Sequence, residues 1–136
     1  MHNKIHLSAN QTRGLSSSLK VVEKSLIELE GMLLNPDSSC CNEIINDLDK
    51  ETIASNISTI HTARKHICYL TEKYGTSRER SSLRRIINAK RSRIWVVLTD
   101  ALSAKIKGYG AFPGKFEDEY DSDIRKLIEI TNEIRS

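Results

Sequence analysis

Arg80, Arg84 and Arg91 are the residues of this sequence whose type and spacing could do chemistry beyond holding a fold. At 100° per residue they lie within about 40° of one another on one helix flank, and such a row presents planar donor forks that match phosphate oxygens. Several contacts of that kind give binding that falls steeply with salt, so the row is a candidate polyanion-binding site for nucleic acid. Trp95 follows Arg91 by four, the spacing at which a guanidinium can stack on an indole. The competing reading is a solvated or intersubunit helix face, neutralised by the acidic run Glu117 to Asp123.

Two further cations, Arg64 and Lys90, each interrupt an otherwise apolar stripe. A charge there is costly unless it is paired or its stem carries it to water, so each needs a carboxylate such as Asp47, Asp49 or Glu51, an exit at a bundle end, or a polar pocket. His61 stands beside the apolar face of the same helix as Arg64 and Lys65. In outline Ile60 to Lys65 resembles the histidine-containing phosphotransfer domains, in which a bundle helix exposes a histidine with a lysine nearby. That resemblance implies phosphotransfer at His61, but His66 stands where a small residue follows the lysine in that family and leaves little room for a docking receiver. His61 is therefore read as a boundary histidine and is not carried forward as a site.

The remaining candidates carry no chemistry. Cys40 and Cys41 lack the two-residue spacer with which two thiolates clasp one zinc, and His2, His6, His61 and His66 form no HxxH, HExxH or ExxH pair. Buried structural thiols are the expectation, with no metal and no cofactor. Gly108-Tyr-Gly leaves a helix instead of joining a strand to one, so its amides do not converge on a phosphate. The serines Ser16 to Ser18, Ser81 and Ser82 have no assigned base, so no catalytic set is named and the chain does not read as an enzyme.

Composition sets the frame around these residues. With 136 residues, 38% hydrophobic and 29% charged, the chain fits one domain, residues 1–136, able to bury a core without staples. Three cysteines at no framework spacing suit a reducing compartment. No run has the length of a signal peptide or a membrane span, which places the protein in the cytoplasm without a membrane partner. The net charge of +3 is unevenly laid out: residues 76–116 carry ten Lys/Arg against Glu79 and Asp100, while residues 117–136 carry seven Asp/Glu against three basic residues.

The elements that would position the arginines follow from apolar periodicity. After about twelve polar residues expected to fray, Leu15, Leu19, Val22, Leu26, Leu29 and Leu33 form a seam over a helix Leu15 to Leu34, with Glu23 and Glu30 outside it. Asn35-Pro36 ends that helix and can start a short one near Cys41 to Leu48. A new stripe, Ile53, Ile57, Ile60, Arg64, Ile67, Thr71 and Tyr74, predicts a helix Lys50 to Tyr74 with Asp49 as cap. The arginine helix is predicted from Ser77 to Lys107, its buried face running Leu83, Ile86, Ile87, Lys90, Ile94, Val97, Leu98, Ala101 and Ala104. Trp95, Leu102 and Ile106 make a second stripe on it, read as a self-association surface. A Gly- and aromatic-rich loop, 108–116, is expected to fold back onto a bundle end, and a last helix runs Ser122 to Arg135.

No period-2 segment supports a strand, so the fold class is all-α: a four-helix up-down-up-down bundle with a short extra helix and one ordered loop. The function that fits is a non-catalytic interaction or regulatory module, self-associating, with an unidentified protein partner. The alternative is a nucleic-acid-binding accessory protein that uses the arginine-rich third helix.

Overall fold

The computed structural model describes residues 5–136. Among these, all regular structure is helical: five α-helices, two short 3-10 turns and no strand. The chain divides into two compact units, Met1–Arg78 and Glu79–Ser136. Each is organised around a pair of long antiparallel helices.

The first unit pairs α1, Ala9–Leu34, with α2, Lys50–Tyr74. Helix α1 begins six residues before the expected Leu15, because Ser8 and Gln11 form a reciprocal capping box that satisfies both exposed amides. Residues 9–12 are thus helical; of the stretch expected to fray, residues 1–4 lie outside the described residues. Helix α2 has the predicted bounds. Asp49 accepts from the Thr52 amide at 2.7 Å, and Gly75 closes the helix at φ 66°, a left-handed position that glycine takes without strain. The Ile5 amide donates to the Lys73 carbonyl at 2.9 Å, satisfying one of the last-turn carbonyls of α2.

No helix forms at Cys41 to Leu48, which corrects the expected short element. Asn35 closes α1 instead of opening a new helix, its amide donating to the Gly31 carbonyl. Beyond it the Ser38 hydroxyl takes the Ile44 amide at 3.2 Å, and the Asn46 side chain takes the Leu48 amide at 3.3 Å. Short polar side chains thus capture the amides that a helix would use. The loop rests against α1, where Ile44, Ile45 and Leu48 meet Leu29, Met32, Leu33 and Ile53 around a groove of about 130 Å³.

The seam of α1 is also rotated from its predicted position. Its covered residues are Thr12, Leu15, Ser16, Leu19, Glu23, Leu26, Glu30 and Leu33, whereas Val22 and Leu29 are 48% and 46% exposed. Glu23 and Glu30, expected outside, lie in the seam. On α2 the predicted stripe holds, with Ile60 and Ile67 the two buried apolar residues among those described.

The second unit pairs α3, Leu83–Asp100, with α5, Glu117–Asn132. Helix α3 is shorter at both ends than the predicted Ser77 to Lys107. Ser82, not Ser77, caps it, accepting from the Arg85 amide, and the chain turns at Ala101 and Leu102 before a four-residue helix α4, Ser103–Ile106. The extra short helix therefore lies here. Helix α5 starts five residues before the expected Ser122, with Glu117, Asp118 and Glu119 in its first turn, where carboxylates are favoured by the helix dipole.

Candidate functional site

Three constellations in this fold could act, and each is built by a helix pairing. The first is an ion triad across the α1–α2 seam. Glu30, its side chain only 18% exposed, lies with Oε1 2.9 Å from His61 Nε2 and accepts from Arg64 Nη1 at 3.2 Å on Oε2. The hydrogen bond to His61 foremost, helped by Arg64, holds the Glu30 carboxyl below the usual glutamate value. Arg64 is thus paired, but with Glu30 rather than with Asp47, Asp49 or Glu51. Beside the triad Glu23, Lys65 and Cys68 line a shallow, open depression with His61 and Arg64. The arrangement ties two helices together; His61 is engaged at Nε2, unlike a histidine left free to take a phosphoryl group.

The second constellation closes the end of the α3–α5 pair. Ser103, 2% exposed, is the one buried polar residue among those described. Its amide donates to Asp121 Oδ1 at 2.8 Å, and its hydroxyl contacts Asp121 Oδ2 at 2.6 Å and Glu117 Oε1 at 3.0 Å. Lys107 Nζ sits 2.7 Å from Glu117 Oε1, and the Tyr120 hydroxyl donates to the Ala101 carbonyl at 2.5 Å. The donors from Lys107 and Ser103 hold Glu117 below its ordinary value, and those of Ser103 do the same for Asp121. A serine, two carboxylates and a lysine could suggest nucleophilic chemistry, but a hydroxyl this buried reaches no substrate. The cluster instead caps α4 from a distance. Phe112 packs against Tyr120 with ring centroids 4.9 Å apart, so part of the 108–116 loop folds back as expected, while Tyr109 is 93% exposed.

The third is the arginine group. Arg80 precedes α3 and Arg84 lies in its first turn, both exposed; Arg91 is half-buried two turns on. The three therefore do not form one row along a helix. Arg91 Nη1 donates to the Ile134 carbonyl at 2.6 Å and Nη2 to Asn88 at 3.3 Å, so its fork is spent on the chain end beyond α5 rather than stacked on Trp95. Helix α3 has no acidic residue in its first turn, where Arg84 and Arg85 stand against the dipole.

The expected neutralisation of these arginines by Glu117 to Asp123 does not occur within the unit. Arg91 meets the end of α5 and Ala101 meets its start, so the helices are antiparallel, and Arg84 lies at the opposite end of the hairpin from Glu117. Sixteen residues of helix separate Arg84 from Asp100, about 24 Å at 1.5 Å per residue.

Of the other sequence-predicted residues, Trp95 is 49% exposed on α3, while Leu102 precedes α4, Ile106 ends it, and both are half-buried. The break at Ala101 takes these three off a common helix face. Lys90 is exposed, and the covered line of α3 runs Ile87, Asn88, Arg91, Ile94, Leu98, leaving Leu83, Ile86 and Val97 to solvent. Cys40, Cys41 and Cys68 are free and exposed, which corrects the expectation of buried thiols. Among the described residues no group of three or more His, Cys, Asp and Glu is placed to hold a metal ion, and no helix is long and apolar enough to cross a membrane.

Sequence reasoning missed Glu30 and Ser103. Glu30 was detectable as the carboxylate one heptad from Glu23; Ser103 carries no local signal, since its partners lie 14 and 18 residues away. Comparison with protein-family models, with curated proteins and with solved structures finds no match for this chain.

Proposed function

We propose that the protein is a non-catalytic helical interaction module of the cytoplasm that works by self-association. The observation that carries this reading is apolar surface without cover. Val21, Val22, Ile27 and Met32 on α1, Leu83, Trp95, Val96 and Val97 on α3, and Leu127 and Ile130 on α5 are each 45% exposed or more. Apolar side chains left uncovered along α1, α3 and α5 mark an association site.

The four-helix up-down-up-down arrangement belongs to the same reading. It is the packing in which the uncovered flanks of two antiparallel hairpins cover one another, and hairpins from one copy or from two can build it. Three free, exposed thiols accord with a reducing compartment. Polyanion binding is the second reading, favoured by the exposure of Arg80 and Arg84.

Light scattering or sedimentation across a hundredfold dilution tests the first reading, with a dimer or larger species expected at the upper concentrations. A monomer throughout overturns it. Nucleic-acid binding at physiological salt, lost when Arg80 and Arg84 become Gln, would put the second reading in its place.

A further inference from the structure

We infer that Cys40 and Cys41 form a dithiol site for a soft trivalent centre of the arsenite class. The site lies in the loop between α1 and α2 and does not depend on the self-association reading.

Backbone and exposure build the site. The Ser39 amide donates to the Asn42 carbonyl at 2.7 Å and the Ser38 hydroxyl takes the Ile44 amide at 3.2 Å, so the chain reverses with the two cysteines at its tip. In an extended strand neighbouring side chains point to opposite faces, and the bend at Cys40 and Cys41 releases them from that arrangement. Both thiols are free, and residues 37–43 are all exposed, so a ligand reaches the pair without displacing any packed side chain.

Geometry selects the ligand. Across a trans peptide consecutive Cα atoms are about 3.8 Å apart, below the span of roughly 4.4–6.8 Å that an unstrained disulfide bridges, so direct S–S closure of this pair is strained and readily reduced. One atom placed between the sulfurs lengthens the bridge and removes that constraint. The atom must be soft to prefer thiolate sulfur, and it must be content with two protein ligands. Cys68 supplies no third. It lines the open depression with Glu23, His61, Arg64 and Lys65, fifteen residues along α2 from Ile53, which meets the loop, and that is about 22 Å at 1.5 Å per residue. Among the described residues no three His, Cys, Asp and Glu converge on a metal ion. Zinc, which takes four ligands, therefore finds too few donors here. Trivalent arsenic bonds two sulfurs at close to a right angle and keeps its third valence for another substituent, which matches two neighbouring thiols on one turn.

The step balances without an oxidant. With phenylarsine oxide two As–S bonds form and two S–H bonds break, the oxide oxygen leaves with both protons as water, and arsenic stays trivalent. The second As–S bond closes within one turn at high effective concentration, so the chelate outlasts a bond to a single thiol by about a hundredfold or more.

Intact-mass spectrometry of the full chain treated with phenylarsine oxide reads the site. The parent should hold one phenylarsenic group per chain against excess glutathione, a monothiol, and release it to 2,3-dimercaptopropanol. Cys68→Ser should behave as the parent. Cys40→Ser and Cys41→Ser should each retain the group about a hundredfold less well under glutathione, and because both positions are exposed their circular dichroism should match the parent's. Parental retention by Cys40→Ser or Cys41→Ser would overturn the site, and so would release of the group from the parent by glutathione alone. A product in which one arsenic links two chains would overturn the closure within one turn.

Discussion

Glu30 Oε1 on α1 lies 2.9 Å from His61 Nε2 on α2, while the second oxygen of the same carboxylate accepts from Arg64 one turn further on. One acid thus fixes the relative height of two helices whose apolar residues alone would tolerate a slip. Because the folded-state carboxyl is held below the usual glutamate value of 4.5, it contributes stability that is present above that value and is lost as pH falls through the folded one. Thermal unfolding followed from pH 6 down to pH 3 should therefore show a steep loss in the parent. Glu30→Gln should start lower at neutral pH and show a flatter acid slope, and equal slopes in the two proteins would mean that the triad contributes nothing to acid sensitivity.

The register of α1 makes its own prediction. Leu26→Asp places a charge in the seam and should cost on the order of 3 kcal/mol in urea unfolding. Val22→Asp, four residues earlier in the same apolar series, should change the stability of a dilute, monomeric sample by no more than about 0.5 kcal/mol, since Val22 is half exposed. Similar losses for the two would return the seam to the line through Val22 and Leu29.

These two sites also show what was legible in the sequence. Helix α2 was read with its bounds because each signal is local: an apolar stripe, an Asp cap and a left-handed Gly close it from within. On α1 the apolar residues cover more than half the circumference, so periodicity admits several seams. What chooses among them is the need of Arg64 and His61 for a carboxylate, a relation between helices 31 and 34 residues apart in sequence. The break in the third helix is harder still. Asp100 to Ser103 holds neither Gly nor Pro, and the turn is fixed by Asp121 drawing the Ser103 amide and hydroxyl from another helix. Arg80 fell outside the helix for a related reason: Ser77 and Ser82 are equally plausible caps by type, and the chain uses the later.

Ser103→Ala tests that account. It removes the buried hydroxyl that bridges two half-exposed carboxylates, Glu117 and Asp121, and the loss of those hydrogen bonds costs about 1 kcal/mol. The amide bond to Asp121 survives, so helicity by circular dichroism should be nearly unchanged while the unfolding midpoint drops. No change in midpoint would mean that the cluster is solvated and the capping account is wrong.

The arginines separate by role, and the separation is measurable. Arg91→Gln loses the bond to the Ile134 carbonyl and should lower stability by about 1 kcal/mol, because a side chain that spans two elements is removed from a half-buried place. Arg84→Gln sits in the first turn of α3, where a cation opposes the helix dipole, so removing its charge should leave the stability of the monomer unchanged or raise it by a few tenths of a kcal/mol. Urea unfolding of the two variants beside the parent reads both quantities. Arg91→Gln with parental stability, or Arg84→Gln with a loss as large as that of Arg91→Gln, would remove the distinction.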